Sequence, residues 1–182
     1  MALTFTPFPD LGNACPDFTL PAVDGKKYSL QDFPRGKPLV IMFICNHCPY
    51  VKAIEDRLLQ LGQDLKKQGV PVLAICSNDK DSYPEDSFEN LQKRAQEKNY
   101  PFPYLYDESQ EVALKFGAVC TPDFFVYDSH HKLAYRGRLD DSWKEADKVS
   151  KRELYDAVQK LLKGEQVSEN QTPSMGCSIK WV

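Results

Sequence analysis

Two apolar segments separated by an amphipathic one place the strongest constraint on the fold of this chain of 182 residues. The segments 38–44, PLVIMFI, and 70–76, VPVLAIC, are apolar at consecutive positions, a pattern typical of strands covered on both faces of a sheet. Between them, apolar residues recur at spacings of three and four from Val51 to Leu65, and Gly69 follows. This spacing predicts an amphipathic helix that ends at the glycine. A strand, a helix and a second strand in this order indicate two parallel strands of an α/β fold.

The segments on either side extend this pattern. Short strands are predicted at 17–20 and 27–30, and the Asp-Gly turn between them indicates an N-terminal β-hairpin. Further helices are predicted from Pro84, around 108–116, and from Ser150 to Gly164. Ser150 and Glu153 have the spacing of a capping box, which places the start of the last helix at Ser150.

The last third of the chain completes the predicted sheet. The segments 123–128, DFFVYD, and 133–139, LAYRGRL, are predicted as a hairpin around a polar turn. The sequence therefore predicts an α/β fold with a central mixed β-sheet flanked by helices, parallel at first and antiparallel in the closing hairpin. One domain is predicted over 1–164, and the tail 165–182 is expected to dock on it. The apolar residues available for this docking are Ile179, Trp181 and Val182.

Charge and hydropathy exclude several classes of function. The formal net charge is −3 and Lys and Arg form no long run, so neither nucleic acid nor an anionic membrane surface is indicated as a partner. The start of the sequence lacks a secretory signal pattern, and no apolar run reaches the roughly 18 residues that a membrane span needs. A cytoplasmic location, in which thiols stay reduced, is therefore expected. The 6 cysteines then favour catalysis, metal binding or burial over a permanent disulfide framework.

The pair Cys45 and Cys48, in the stretch FICNHCPY, falls on the turn between the first buried strand and the amphipathic helix. In such sheets this turn lies at the carboxyl ends of the strands, where functional sites collect. Two interpretations involve no redox chemistry. Buried cysteines can serve as small apolar side chains, which fits Cys76 and Cys15 better than the pair, whose turn is polar. A structural zinc site needs four ligands, and the chain offers only the adjacent histidines at 130–131 and no second Cys-x-x-Cys.

Thiol–disulfide exchange is the third interpretation, and its mechanism uses these residues at this place. A thiol reacts as the thiolate, and the N–H groups and dipole at the start of a helix favour that anion. A second thiol three residues away can attack the mixed disulfide and close a small ring. Pro49 suits the first helical turn, Asn46 keeps the turn polar, and a protonated His47 would stabilise a thiolate further. These reasons favour redox chemistry.

The stretches GNACPDFTLPAVDGKKYSLQDF and GKPLVIMFICNHCPY resemble the thioredoxin-like superfamily, in the branch that peroxiredoxins share with membrane-tethered thiol reductases. Within that branch the chain is similar to peroxiredoxin-like proteins, of the alkyl hydroperoxide reductase and thiol-specific antioxidant type, that carry Cys-x-x-Cys in the active-site turn. The resemblance implies a thioredoxin-like fold and a cis-proline beside the cysteine pair, for which Pro122 is the matching residue. The backbone of Thr121 would then bind an extended substrate as a strand. Cys120 would lie near the pair.

The sequence departs from the peroxiredoxin pattern at two places. The peroxidatic cysteine of that family precedes a proline, as Cys48 precedes Pro49, but a Thr or Ser stands three residues before it, where this chain has Cys45. The arginine that assists the thiolate in peroxiredoxins is replaced here by Thr and Pro at 121–122. The two arginines at 136 and 138 either take its place in space or form surface ion pairs with the aspartates at 140–141.

These departures favour a thiol–disulfide oxidoreductase in which Cys45 attacks a disulfide-containing protein or small-thiol substrate and Cys48 resolves the mixed disulfide. The dithiol is the redox group, so no separate cofactor is expected, and a thioredoxin system or glutathione would supply electrons. A thiol-dependent peroxidase acting through Cys48 is one alternative, and a non-enzymatic binding or metal-handling module is another. Cys120 and Cys177 are candidate additional redox cysteines, with structural docking of the tail as the other role for Cys177.

Overall fold

The computed structural model describes residues 3–182, which form ten strands and four α-helices. The strands are β1 (Leu3–Phe5), β2 (Thr19–Pro21), β3 (Lys27–Ser29), β4 (Leu39–Phe43), β5 (Val72–Cys76), β6 (Tyr104–Tyr106), β7 (Cys120–Thr121), β8 (Asp123–Tyr127), β9 (Leu133–Tyr135) and β10 (Met175–Ser178). The helices are α1 (Pro49–Lys67), α2 (Phe88–Glu97), α3 (Glu111–Phe116) and α4 (Glu153–Leu162). Among these described residues, no helix is both long and apolar enough to cross a bilayer.

The central sheet has five strands in the order β6-β5-β4-β8-β9. Strands β4, β5 and β6 are parallel, whereas β8 runs antiparallel to both β4 and β9. The predicted mixed sheet, parallel at first and closed by a hairpin, is confirmed. Strands β2 and β3 form the predicted N-terminal hairpin outside this sheet.

Apolar layers cover both faces of the sheet, because every residue of β4 and β5 is buried and successive side chains point to opposite faces. On one face, Met42 packs in a cluster with the apolar stripe of α1 and with residues of α2 and α4. On the other face, Phe43 packs with Phe116 of α3 and Phe125 of β8. The buried strand pattern therefore fixes β4 in the middle of the domain, and the turn after it emerges at the carboxyl edge of the parallel strands.

Two helix starts differ from their prediction. The segment Pro84–Asp86 forms a separate 3₁₀ turn, and α2 begins only after Ser87, whose hydroxyl accepts a hydrogen bond from the N–H of Asn90. The predicted capping box at Ser150 is wrong, because the backbone N–H and hydroxyl of that residue donate to the carboxylate of Asp141 instead. The hydroxyl of Ser150 is therefore bound to Asp141 and does not cap the helix. Helix α4 begins at Glu153.

A second, three-stranded sheet in the order β1-β10-β7 was not predicted. Strand β10 pairs antiparallel with both neighbours, so that Cys177 lies opposite Leu3 on one side and Thr121 on the other. Of the three residues expected to dock the tail, Ile179 is buried, but Trp181 and Val182 stay 43% and 95% exposed. Backbone pairing therefore holds this segment in place more than apolar burial does.

Candidate active site

The turn between β4 and α1 is anchored by Asp86, a fully buried carboxylate. One of its oxygens accepts from the backbone N–H groups of Asn46 and His47 at 2.7 and 3.3 Å. The other lies 2.5 Å from Nδ1 of His47 and accepts from the amide of Asn78 at 2.9 Å. A buried carboxylate is stabilised by such convergent donors, and here they hold the Cys-x-x-Cys turn in one conformation. Sequence analysis missed Asp86, because nothing in the stretch YPEDS distinguishes it from a surface acid.

Cys48 lies directly before the first residue of α1, and the N–H of Lys52 donates to its carbonyl oxygen at 3.0 Å. Its Sγ lies 3.0 Å from Sγ of Cys177 and 3.2 Å from the carbonyl oxygen of Thr121. The thiol of Cys45, followed by the thiol of Cys177 and the N–H of Val51, lowers the pKa of Cys48 to about 4, while burial of the sulfur opposes this. The surroundings of Cys48 therefore favour its thiolate more than those of an ordinary thiol do.

Cys45 has the opposite electrostatic environment. Its Sγ lies 3.2 Å from the hydroxyl oxygen of Thr121, and its side chain is 2% exposed. Burial raises its pKa well above the ordinary value, and the neighbouring Cys48 and the charge of Asp86 raise it further. This geometry favours the anion on Cys48 over Cys45, mainly through the Cys45 thiol, whereas the sequence predicted Cys45 as the attacking thiolate; the assignment of the two roles stays a prediction.

The peptide bond between Thr121 and Pro122 is cis, as the resemblance implied. The backbone of Thr121 does not offer a free edge to a substrate, however. Strand β10 occupies this edge, with Cys177 directly opposite Thr121 and Ser178 opposite Cys120. In this structure β10 lies where the predicted substrate strand would pair with Thr121, and the role of Thr121 in binding a substrate stays a prediction.

Of the remaining cysteines, Cys120 lies close enough to Cys48 and Cys177 to interact with them electrostatically. Cys120 is buried with its Sγ 3.6 Å from the carbonyl oxygen of Pro122, and burial raises its pKa. Burial also raises the pKa of Cys76, and it raises that of Cys15 to about 12. These thiols stay protonated at neutral pH, which fits buried apolar side chains.

The two arginines considered as substitutes for a peroxiredoxin arginine lie in other contacts. Arg136 is buried and pairs with the fully buried Asp123, with its guanidinium 2.8 Å from Oδ2, and it also donates to the carbonyl oxygen of Gly117. Arg138 pairs with Glu153 at 2.7 Å. Neither of the predicted surface pairs with the aspartates at 140–141 is formed, since these arginines point to the hairpin interior and to α4.

Three side chains of the turn region offer donor atoms that lie close enough together for a metal ion. The ligand atoms of Cys45, His47 and Asp86 lie within 4.8 Å of one another. His47 is buried, stacks on Tyr83 at 4.4 Å and leaves its Nε2 without a hydrogen-bond partner. The set does not include the adjacent His130 and His131, and it provides three donors where a structural zinc site has four.

A cavity of about 390 Å³ opens beside the cis-proline. Its wall is largely apolar and includes Tyr50, Pro122, Phe124, Trp143 and Met175. Neither Cys45 nor Cys48 contributes to the wall, and the structure leaves Cys48 with no exposed surface. The two sulfurs therefore lie behind the surface, between α1 and β10.

A reactive dithiol at the start of a helix, facing a cis-proline on a mixed sheet, places this protein among the thiol oxidoreductases of thioredoxin-like fold. The same fold is found, at a TM-score of 0.64 and 19% identity over 84% of this chain and 97% of the other, in the thioredoxin domain of a thiol-disulfide oxidoreductase from Bacteroides vulgatus. The sequence profile of the AhpC/TSA family matches residues 11–136. The chain belongs to this family.

Proteins similar in sequence to this chain include both peroxiredoxins and thiol-disulfide oxidoreductases. Peroxiredoxin Bcp of Escherichia coli K12 is 31% identical over 126 residues, which are 68% of this chain and 76% of that protein. Thiol-disulfide oxidoreductase ResA of Geobacillus thermodenitrificans is 27% identical over 123 residues, 68% of this chain and 66% of that protein. A solved structure of an uncharacterized conserved protein from Geobacillus kaustophilus has 47% identity and a TM-score of 0.93, covering 100% of this chain and 97% of its own.

Proposed function

We propose that the protein is a dithiol–disulfide oxidoreductase that cycles between the reduced Cys45 and Cys48 thiols and a Cys45–Cys48 disulfide. The observation that carries this proposal is the position of Cys48, whose residue directly precedes α1 and whose pKa is lowered by the neighbouring Cys45 thiol. A thiolate and a thiol in contact are the two groups that exchange with a disulfide requires.

The reaction proceeds in two displacements. The Cys48 thiolate attacks one sulfur of the substrate disulfide, so that a mixed disulfide forms and the first substrate thiolate leaves. Cys45 then loses its proton to the departing thiolate and attacks Sγ of Cys48, which releases the second substrate thiolate and closes the Cys45–Cys48 disulfide. The substrate gains two electrons, and the protein loses two.

The substrates that fit this site are small. Cys45 and Cys48 are 2% and 0% exposed, and β10 covers the edge on which a peptide strand would bind. A low-molecular-weight disulfide needs only a narrow approach, and its non-reacting part can lie in the apolar cavity beside Pro122. Glutathione or a thioredoxin system would return the protein to the dithiol, with no further cofactor, in a reducing compartment such as the cytoplasm.

A second candidate is a thiol-dependent peroxidase, and the burial of a thiolate directly before Pro49 favours it. The Cys48 thiolate would attack one peroxide oxygen, which breaks the O–O bond, yields a sulfenic acid and releases the alcohol or water after protonation. Cys45 would then attack the sulfenic sulfur and release water. Both candidates end in the same Cys45–Cys48 disulfide, and they differ in the oxidant.

Second-order rates of the fully reduced protein with glutathione disulfide and with hydrogen peroxide separate the two candidates. We expect the wild type to react faster with glutathione disulfide than free cysteine does, and we expect this advantage to be lost in Cys48→Ser and retained in Cys45→Ser. A peroxide rate orders of magnitude above that of free cysteine, with the same dependence on Cys48, would establish the peroxidase. Reactivity with either oxidant that depends on Cys45 alone would contradict the proposed roles.

A further inference from the structure

We infer that Cys177 is a third redox cysteine, which forms a disulfide with Cys48 as an alternative to the Cys45–Cys48 disulfide. This inference rests on the proposed function, because it requires Cys48 to react with an external disulfide first. It adds a residue 129 positions away from Cys48, outside the Cys-x-x-Cys motif, to the set of reacting atoms.

The distance between the two sulfurs carries the inference. The Sγ atoms of Cys48 and Cys177 lie 3.0 Å apart, and both residues are buried. Since a disulfide bond is about 2.05 Å long, closure requires the two sulfurs to approach by only about 1 Å. The two thiols are joined by a hydrogen bond, so the reacting groups are in contact before any oxidant arrives.

Strand β10 presents Cys177 as a bound substrate would present its own cysteine. Residues directly opposite each other on antiparallel strands point to the same face, so Cys177 shares the face of Thr121, whose hydroxyl contacts Cys45. Alternation turns Cys120 to the other face, away from the pair. Of the two additional candidates, the geometry thus selects Cys177 and not Cys120.

Gly176 allows this close approach. A Cβ at this position would lie 1.9 Å from the carbonyl oxygen and 2.6 Å from the carbonyl carbon of Thr121. No side chain fits that space, and the obstacle is backbone, which cannot swing away as a flexible side chain would. A glycine directly before Cys177 therefore seats β10 against the cis-proline loop at the depth where its thiol meets Cys48.

Two reactions, each balanced in atoms and electrons, can form the Cys48–Cys177 disulfide. In the mixed disulfide between Cys48 and the substrate, Cys177 can attack Sγ of Cys48 and release the substrate thiol, in competition with Cys45. In the oxidised protein, Cys177 can attack Sγ of Cys48 in the Cys45–Cys48 disulfide and release Cys45 as a thiol. The second reaction is an internal exchange without net electron transfer, and its product fastens β10 covalently to α1.

The test is to add one equivalent of glutathione disulfide to the reduced protein, quench with acid, alkylate the remaining thiols and map disulfides by mass spectrometry. In Cys45→Ser we expect the Cys48–Cys177 disulfide with both glutathione molecules released. In the double variant Cys45→Ser, Cys177→Ser we expect the mixed disulfide of Cys48 with glutathione to persist. Release in the single variant should be more than about tenfold faster than in the double one, because the attack is intramolecular.

Two control variants test whether the new disulfide depends on Cys120 and on the close approach of β10. Cys120→Ser in the Cys45→Ser background should give the same Cys48–Cys177 disulfide, since its thiol faces away. Gly176→Ala in that background should reduce the yield of this disulfide, because β10 must move off Thr121, and circular dichroism checks that the domain stays folded. An equal yield in Gly176→Ala would overturn the role of the strand.

The failure of this inference differs from the failure of the proposed function. If Cys48 carries glutathione in Cys45→Ser while Cys177 is alkylated, Cys48 reacts as proposed, but Cys177 is not its partner. If Cys48 stays unmodified in every variant, the proposed function itself is wrong, and the inference fails with it.

Discussion

The redox potential of the Cys45–Cys48 couple should depend on pH half as steeply as that of an ordinary dithiol. With the pKa of Cys48 lowered to about 4 and that of Cys45 raised above 9, the reduced protein carries one thiolate and one thiol between about pH 5 and pH 8. Reduction of the disulfide then takes up one proton per two electrons. The potential should fall by about 30 mV per pH unit, against about 59 mV when both sulfurs become protonated.

The direction in which the redox potential of the couple is shifted follows from the ionisation of Cys48. A lowered pKa stabilises the reduced state at all pH values above about 4, so the couple is more oxidising at neutral pH than one built from two ordinary thiols. This stabilisation is lost as the pH falls through about 4, where the slope should steepen to about 59 mV per unit.

The assay is equilibration with mixtures of reduced and oxidised glutathione at each pH, followed by acid quenching and quantification of the Cys45–Cys48 disulfide by mass. Cys177→Ala is the matched control, because it removes one of the hydrogen-bond donors that stabilise the Cys48 anion without replacing it by a hydroxyl, and the change of slope should move to higher pH. A slope of about 59 mV from pH 6 to pH 8 would refute the reasoning, since both sulfurs would then be protonated in the reduced state.

Three other predictions concern the surroundings of the pair. Arg136→Met leaves the buried Asp123 without its partner and should lower the free energy of unfolding in urea by about 3–5 kcal/mol, whereas adding Asp123→Asn should recover part of this loss. Asp86→Ala removes the acceptor of the turn's N–H groups and should cost at least about 2 kcal/mol in the same assay, together with a slower reaction of Cys48 with glutathione disulfide; an unchanged rate would show that the anchor is dispensable. Reduced protein equilibrated with Zn²⁺ and dialysed should retain less than one equivalent, because three donors are available and the oxygens of Asp86 already accept hydrogen bonds. Stoichiometric retention that is abolished by His47→Ala would instead support a metal-handling role.

The elements that the sequence predicts well are those whose signal is local. The apolar segments at 38–44 and 70–76 and the three-and-four spacing of α1 depend only on neighbours along the chain, and the structure contains all of them. The position of the cysteine pair at the strand-to-helix turn follows from the same pattern. The cis peptide at Pro122 was available only from the resemblance, since an isolated proline carries no such signal.

The elements that the sequence does not predict depend on partners far away in the chain. The stretch MGCS has no strand periodicity, and β10 forms because its backbone finds the edges of β1 and β7. The carboxylate of Asp86 and the guanidinium of Arg136 look like surface groups until the fold supplies their buried partners. The ionisation of Cys48 belongs to this class too, because it depends on the thiol of Cys177 as well as on its own helix.

The pairing of β10 with β7 has a consequence for the order in which the protein matures. Contacts between residues distant in sequence form late in folding, because long loops must close first. The contact of Cys48 with Cys177 spans 129 residues, whereas Cys45 and Cys48 share one turn. We therefore expect a refolding chain to bring Cys45 and Cys48 together before Cys177 reaches them, with the strand edge at Thr121 open to other polypeptides in that interval. Oxidant present in that interval should close Cys45–Cys48 first, and the Cys48–Cys177 disulfide can then form only by internal exchange after β10 has docked.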